Sequence, residues 1–354
     1  IKRTALAVLF FKNIYDAEYF FRFSAISKLS GLAYLWTRKK YGKFQGIIVI
    51  ERKALDVRAS TIMFGLCILW GLQQVVLKMA APDISSLMQV ALRSGLSALM
   101  VYPLIKLSTG NSLWSKDYLY PGLAVALLFA AEFFMLAQAI RFTSASHAVV
   151  LLYTAPIFVA LGLHWKLPSE RLSILQWGGI FIAFLGIVVT FVGRDGSSGQ
   201  DLSQMLFGDL LALLAGILWA ATTISVRLTK LSDAPATQTL FYQLAGGFVF
   251  LFPLTFVLGQ ASIHWTSLAI SSLIFHSIVI SFASYLIWFW LLKSYLASRL
   301  GVFSFLTPLF GMLFGVWLLN ESIEMNFIIG TVMVMMGVLV VSLQGWLKPK
   351  NSKA

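Results

Sequence analysis

YTAPIF at residues 153–158 and FLTPLF at residues 305–310 are two versions of one segment, placing Pro156 on Pro308 at an offset of 152. The match spreads outward from there. ILWG at 68–71 pairs with ILWA at 217–220, an offset of 149, and Gly179 and Gly186 pair with Gly330 and Gly337 at 151. Glu170 falls against Glu321. A near-constant offset carried by prolines and glycines marks an internal duplication, the construction found in many membrane carriers.

Between these anchors run long apolar stretches at 60–81, 84–107, 118–140, 145–164, 172–193, 206–227, 235–259, 268–292, 299–319 and 325–346. Each is helix enough to cross about 30 Å of hydrocarbon. The runs are continuous, without the short alternation of a membrane β-barrel, so helices are expected. Five spans per half is the decisive number. An odd count makes the second copy enter the membrane from the opposite side. The expected fold is therefore all-α and polytopic: ten transmembrane helices in two inverted five-helix repeats, 59–195 and 196–354.

Composition agrees. Apolar residues make up 59% of the 354-residue chain and charged residues 12%, against about 45–50% and about 25% in soluble domains. A soluble chain could not cover its surface at that ratio. The single cysteine, Cys67, excludes a disulfide framework and cysteine-rich metal sites. The net charge of +13 is unevenly spread: residues 1–58 hold 12 of 27 basic and 4 of 14 acidic residues, a local +8. That excludes a nucleic-acid footprint as the meaning of the charge, and no nucleic-acid partner is expected. No apolar run within 1–52 is long enough to span a bilayer. The basic arm at 1–58 has three readings: a cationic segment on an anionic membrane face, a disordered tail, or translated sequence upstream of a non-Met start near 49–57, an artefact. The third rests on all 11 methionines lying at or after Met63.

Charge sets orientation. With the N-terminus in the cytoplasm, the inner connections carry Lys106, Lys116, Lys166, Arg171, Arg227, Lys230, Lys293 and Arg299, flanked by Arg58 and by Lys348, Lys350 and Lys353. The outer connections carry only Arg141 and Arg194, with Asp83, Asp195, Asp201, Glu321 and Glu324 beside them. Lys78 sits near the outer end of span one and can snorkel. Cytoplasmic lysine and arginine are the rule, so both termini are expected inside.

Charges within spans point to a site, because a charge in hydrocarbon is costly and faces protein or water. Arg93 and Glu132 lie at matched depth, about 13 Å below the outer ends of spans two and three. Gln74 and Gln89 fall near them. Arg93 binds a substrate carboxylate or phosphate while Glu132 meets an amine or a proton, or the two form a fixed ion pair. Span eight carries His276, Ser277, Ser281, Ser284, Tyr285 and Trp288 at three- and four-residue intervals, one helical face. Ser281, Tyr285 and Trp288 read as pocket lining, or as tight packing with lipid-facing aromatics. His276 is a proton-handling candidate or a satisfied interhelical histidine. Trp70 and Gln73 on span one, Trp219 and Thr223 on span six, and Tyr242 and Gln243 on span seven complete the candidates; Trp70 and Trp219 are repeat equivalents. Asp209, near the outer end of span six, reads either as a functional acid of lesser weight than Glu132 or as a helix-start cap. Gly311-x-x-x-Gly315 reads as close packing, and Pro156 and Pro308 as kinks.

Catalytic signatures are missing from the chain: no GxxxxGK[ST], HExxH, CxxC or GxSxG, and four histidines without ligand spacing. No cofactor, metal or enzymatic activity is expected. The one set to check for embedded catalysis is Glu132, Arg93 and His147.

The chain resembles the drug/metabolite transporter superfamily, in its bacterial ten-helix branch with two EamA-type repeats. The residues that carry this are LWG at 69–71, ALR at 91–93, the Pro156 segment with Glu170 and glycines from 178, and LTPLFGMLFGVWLLNES at 306–322 leading to Gly330 and Gly337. Leu72-Gln73-Gln74 replaces the Ser/Asn-rich stretch many members have there, and the second-half counterpart of Arg93 falls near Tyr242, so no second arginine matches it. The resemblance implies a permease of the bacterial inner membrane, commonly an exporter of amino acids or related metabolites. Inverted repeats add a mechanism, alternating access around a central site. The expectation is thus a secondary transporter of a small polar solute among membrane lipid, with proton coupling at Glu132 or His276. Its rivals are a channel or flippase-like lipid carrier, and a membrane-embedded enzyme.

Overall fold

The computed structural model describes residues 56–108, 115–166, 172–192, 201–295, 304 and 306–347. The basic arm before Asp56, Glu170, Arg171, Arg194, Asp195, Arg299 and the C-terminal lysines lie outside the described residues. Twelve α-helical segments follow in order. They are α1 Val57–Met79, α2 Ser86–Ser108, α3 Lys116–Phe142, α4 Ala145–Leu152, α5 Ala155–Lys166 and α6 Ile174–Val192. The second half holds α7 Leu202–Leu228, α8 Ala236–Val257, α9 Ser267–Ile274, α10 Tyr285–Ser294, α11 Leu306–Leu319 and α12 Met325–Leu347. A π-helical segment, Phe275–Ser284, joins α9 to α10. Ile84 and Ile263 form an isolated antiparallel β-bridge.

Seven helices are long and apolar enough to cross a bilayer, taking 145–166 as one and 267–288 as one; three shorter apolar helices, 174–190, 306–319 and 325–340, accompany them. Their starts are written in the sequence. Asp56 caps α1 by accepting from Ala59 N at 2.7 Å, and Asp201 caps α7 by accepting from Ser203 N at 3.0 Å. Ser144 accepts from His147 N at 3.1 Å at the head of α4. Each satisfies a backbone donor that a helix start otherwise leaves orphaned.

The fourth span breaks at Tyr153–Thr154, the kink expected of Pro156, which as the second residue of α5 has no N–H for a continuous ladder. The kink expected at Pro308 is corrected. Pro308 stands in the first turn of α11, where a missing N–H costs little.

Packing follows the small residues. A methyl placed on Gly179 would lie 2.8 Å from Gly337 O, and one on Gly186 would lie 2.7 Å from Gly330 O. The duplication makes Gly179 equivalent to Gly330 and Gly186 to Gly337. Each therefore pairs with the other's equivalent, as in two like helices, α6 and α12, crossing antiparallel about a twofold axis. A methyl on Gly71 would approach Phe310 Cβ to 2.7 Å, so α1 and α11 also meet nearly backbone to backbone. Gly311 and Gly315 seat α11 against Val149 and Ser146 of α4, the close packing expected of their spacing.

Helix α3 packs along α7, α2 along α8, and α4 and α5 on α7. By the duplication, the counterpart of the α3–α7 seam is that between α1 and the segment from α9 to α10. There the contacts are far sparser, and aromatics fill the gap, with Trp70 edge-on to Trp288 at 5.5 Å.

Candidate functional site

Arg93 is the largest fully buried side chain described, 1% exposed in the middle of α2. Its guanidinium lies over the Phe133 ring at 4.5 Å. None of its three nitrogens has a hydrogen-bond partner, and among the described residues no Arg93–Glu132 ion pair forms within 4.0 Å. Of the two readings of this pair, the closed ion pair is thus not what the structure holds. Glu132 of α3 and Tyr285 of α10 are ionisable side chains within electrostatic reach of Arg93. Stacking a desolvated cation on an aromatic ring is worth about 2 kcal/mol. Withdrawing that cation from water costs several kcal/mol. Ring stacking therefore leaves the guanidinium short of anionic hydrogen-bond partners.

The surrounding groups come from both halves. Ser277 and Ser281, on the π-helical segment, and Gln74, on α1, are buried, and Ser277 Oγ, Ser281 Oγ and Gln74 Oε1 lack hydrogen-bond partners. Ser97, one turn from Arg93, donates to Ser277 O at 2.9 Å and ties α2 to that segment. Trp70 Nε1 donates to Ser284 Oγ at 2.9 Å. Tyr153, at the α4–α5 break, is coupled to Glu132 and Tyr285, and it meets Trp219 edge-on at 5.2 Å. Tyr153 was absent from the sequence candidates, although its place three residues before Pro156 pointed to it.

Other candidates lie elsewhere. His276 places Nδ1 2.8 Å from Ser272 O and Nε2 3.1 Å from Gln73 O, bracing the π-helical segment against α1. Gln89 donates to Leu77 O and Ile84 O and accepts from Ser272 Oγ at 2.7 Å, a structural bracket rather than part of the Arg93 layer. Tyr242 covers Gly122, ten residues or about 15 Å along α3 from Glu132. Thr223 is exposed and its hydroxyl donates to Trp219 O, turned away from the layer. Beside it, Phe158, Leu161, Gly162, Trp165, Ile217 and Ile224 line an open, largely apolar groove between α5 and α7.

A second polar cluster closes the Thr143 end of the bundle. Lys78 Nζ donates to Thr143 O at 2.6 Å and stands 3.5 Å from Glu321 Oε1, so it is engaged by protein rather than snorkelling. Glu321 accepts from Ala145 N at 2.7 Å and from Ser146 N and Oγ at 3.0 and 2.6 Å. A carboxylate at the start of α4 suits the helix dipole. The left-handed turn at Asn320, φ 53°, folds Glu321 back into that position. Asp209 is not a helix-start cap but is buried in α7, where it accepts from Thr143 Oγ1 and lies 3.1 Å from His147 Nδ1. His147 is therefore at the end of the bundle, about 15 Å from the Glu132 layer, and the catalytic set Glu132, Arg93 and His147 is not assembled. Among the described residues no His, Cys, Asp and Glu group converges as a metal site.

The EamA-like transporter family model matches the chain twice, over residues 58–192 and 206–343. The chain belongs to the EamA-like transporter family. It is similar to uncharacterized transporter YoaV of Bacillus subtilis, 25% identical over 276 residues that cover 77% of this chain and 92% of the relative. A probable amino-acid metabolite efflux pump of Salmonella typhimurium is 27% identical over 281 residues, 77% and 91% of the two chains. A solved crystal structure matches at a TM-score of 0.57 and 16% identity over 83% of this chain and all of the other, a likeness of fold. An EamA chain with this many apolar helices is a multi-pass membrane transporter.

Proposed function

We propose that this EamA protein is a secondary transporter of the bacterial inner membrane, an exporter by resemblance, that moves a small polar metabolite by alternating access. Ten spans form two inverted repeats, 59–195 and 196–354, with both termini in the cytoplasm. The substrate meets Arg93 through a carboxylate or similar anionic group and Glu132 through an amine, with Tyr285, Ser281, Gln74, Trp70 and Trp288 around it. The observation that carries this reading is the buried guanidinium of Arg93, its three nitrogens without hydrogen-bond partners, on α2 where that helix meets the π-helical segment of the other half. An open pair of opposite charges accommodates a small zwitterion; a closed pair would exclude one. The crossed glycines of α6 and α12 support the inversion. Basic residues on the Asp56 side put that end in the cytoplasm, which makes the Thr143 end external.

The test is solute flux in vesicles, with and without a pH gradient, across amino acids, purines, sugars and organic cations. Arg93→Gln is expected to abolish flux of the transported solute while the protein still folds. Flux intact in Arg93→Gln would remove the central site. Proton exchange is assigned to Glu132, and full uphill flux driven by the pH gradient in Glu132→Gln would refute that part alone.

A further inference from the structure

His147 is 2% exposed and faces carboxylates on both ring nitrogens. Nδ1 lies 3.1 Å from Asp209 Oδ2, and Nε2 lies 3.7 Å from Glu324 Oε2. The ring stacks on Phe327 at 3.7 Å, 12° from parallel, which fixes both nitrogens in direction. Three elements meet here: α4 carries the ring, α7 carries Asp209, and Glu324 stands immediately before α12. The other charged groups of the cluster are Glu321, on the connection from α11 to α12, and Lys78, on α1, and these two pair with each other. Thr143, at the corner between α3 and α4, donates its hydroxyl to Asp209.

From this geometry we propose that His147, Asp209 and Glu324 form a proton-binding site that latches the Thr143 end of the bundle. The chemistry is a matter of donors. An imidazolium has two N–H groups and donates toward both carboxylates, holding α4 to α7 and to α12 together. A neutral ring has one. With that proton on Nδ1 toward Asp209, the Nε2 lone pair faces a carboxylate, and the α12 arm of the latch changes from attraction to repulsion. One proton thus decides whether the ring attracts or repels Glu324. Histidine is the side chain whose ordinary titration falls in the physiological range. The site stands on local geometry and is independent of the substrate assigned to Arg93. It differs from Glu132 in placing a proton at the gate rather than beside the cargo.

The experiment uses the full chain in lipid nanodiscs and reads deuterium uptake by backbone amides of residues 144–149 and 321–328, corrected for intrinsic exchange, at about pH 5.5 and about pH 8. In the wild type, uptake is expected to rise severalfold at the higher pH. His147→Gln removes the titrating ring and should make uptake independent of pH. Glu324→Gln replaces the carboxylate with an amide that can donate to a neutral ring or accept from a charged one. That variant should stay protected at both pH values, and it keeps the proposal testable if His147→Gln does not fold. His264→Gln, on the neighbouring loop, should behave as wild type. Wild-type uptake that ignores pH would overturn the proposal. So would a pH response that survives in both His147→Gln and Glu324→Gln, or one abolished by His264→Gln.

Discussion

Duplication makes the α3–α7 seam and the seam between α1 and the α9–α10 segment equivalents, yet they are built differently. Along α3–α7 the backbones come close: a methyl on Gly208 would sit 2.8 Å from Thr143 N, and Phe142 meets Phe207 edge-on at 5.5 Å. The other seam is bridged by side chains, with Trp70 against Trp288, Arg58 over Trp290 at 5.7 Å, and Tyr295 Oη donating to Asp56 at 2.8 Å. Backbone contact is stiff, because interiors packed to crystal density tolerate little volume change. Aromatic bridges part at the cost of a few rotamers. Two seams identical by ancestry and unlike in packing are what a carrier needs when one face is shut and the other is free to move.

The comparison can be broken most severely at Asp209. Asp209→Ala leaves His147 and Thr143 without their shared acceptor, and removing one partner of a buried pair costs about 3–5 kcal/mol. A large drop in thermal unfolding temperature is expected. An unchanged midpoint would mean that the Thr143 end is not held by this cluster. Gly208→Val tests backbone closeness directly: overpacking should cost about 1–3 kcal/mol, whereas the same change at Gly65, where a methyl meets nothing within 4 Å, should be nearly silent. Equal losses at the two positions would erase the distinction between tight and open surfaces. Trp70→Phe keeps a ring in the aromatic seam but deletes the hydrogen bond to Ser284, for about 1 kcal/mol; a loss as large as that of Asp209→Ala would show this seam to be rigid as well. The smallest effect belongs to Lys230 and Asp117, an exposed pair at 2.6 Å on the opposite end. The hydrogen bond to Asp117, then its charge, raises the Lys230 ammonium above its ordinary value. A raised cation contributes fully below its unfolded pKa and loses that contribution only as pH climbs through the folded one. That contribution is therefore present at neutral pH, but water screens so exposed a pair to almost nothing; Lys230→Met should barely move the melting temperature, and a clear shift would give this end a lock of its own.

Much of this architecture is visible in the residues themselves. The offset shared by Gly179, Gly186, Gly330 and Gly337 foretells the crossed contact of α6 and α12, because only glycine permits that approach. The matched depths of Arg93 and Glu132 foretell a common layer, since helix rise turns sequence position into depth. The Thr143 cluster was not legible. Its partners are 62 to 243 residues apart, and no spacing rule links His147 to Asp209 or Glu324. The π-helical segment was hidden for another reason. His276, Ser277, Ser281, Ser284 and Tyr285 recur at intervals that fit one face of an ordinary helix, and a slightly wider turn leaves that pattern nearly intact.

That wider turn has a mechanical consequence. A π-helical insertion is a dislocation in the hydrogen-bond ladder, and like a dislocation in a crystal it travels without the lattice coming apart. Each residue it passes is turned by roughly 100° about the helix axis. In this chain the insertion ends at Ser284, one residue before Tyr285. A shift of a single position there swings the phenol away from Arg93 while α9 and α10 keep their places, a change of face without a change of position.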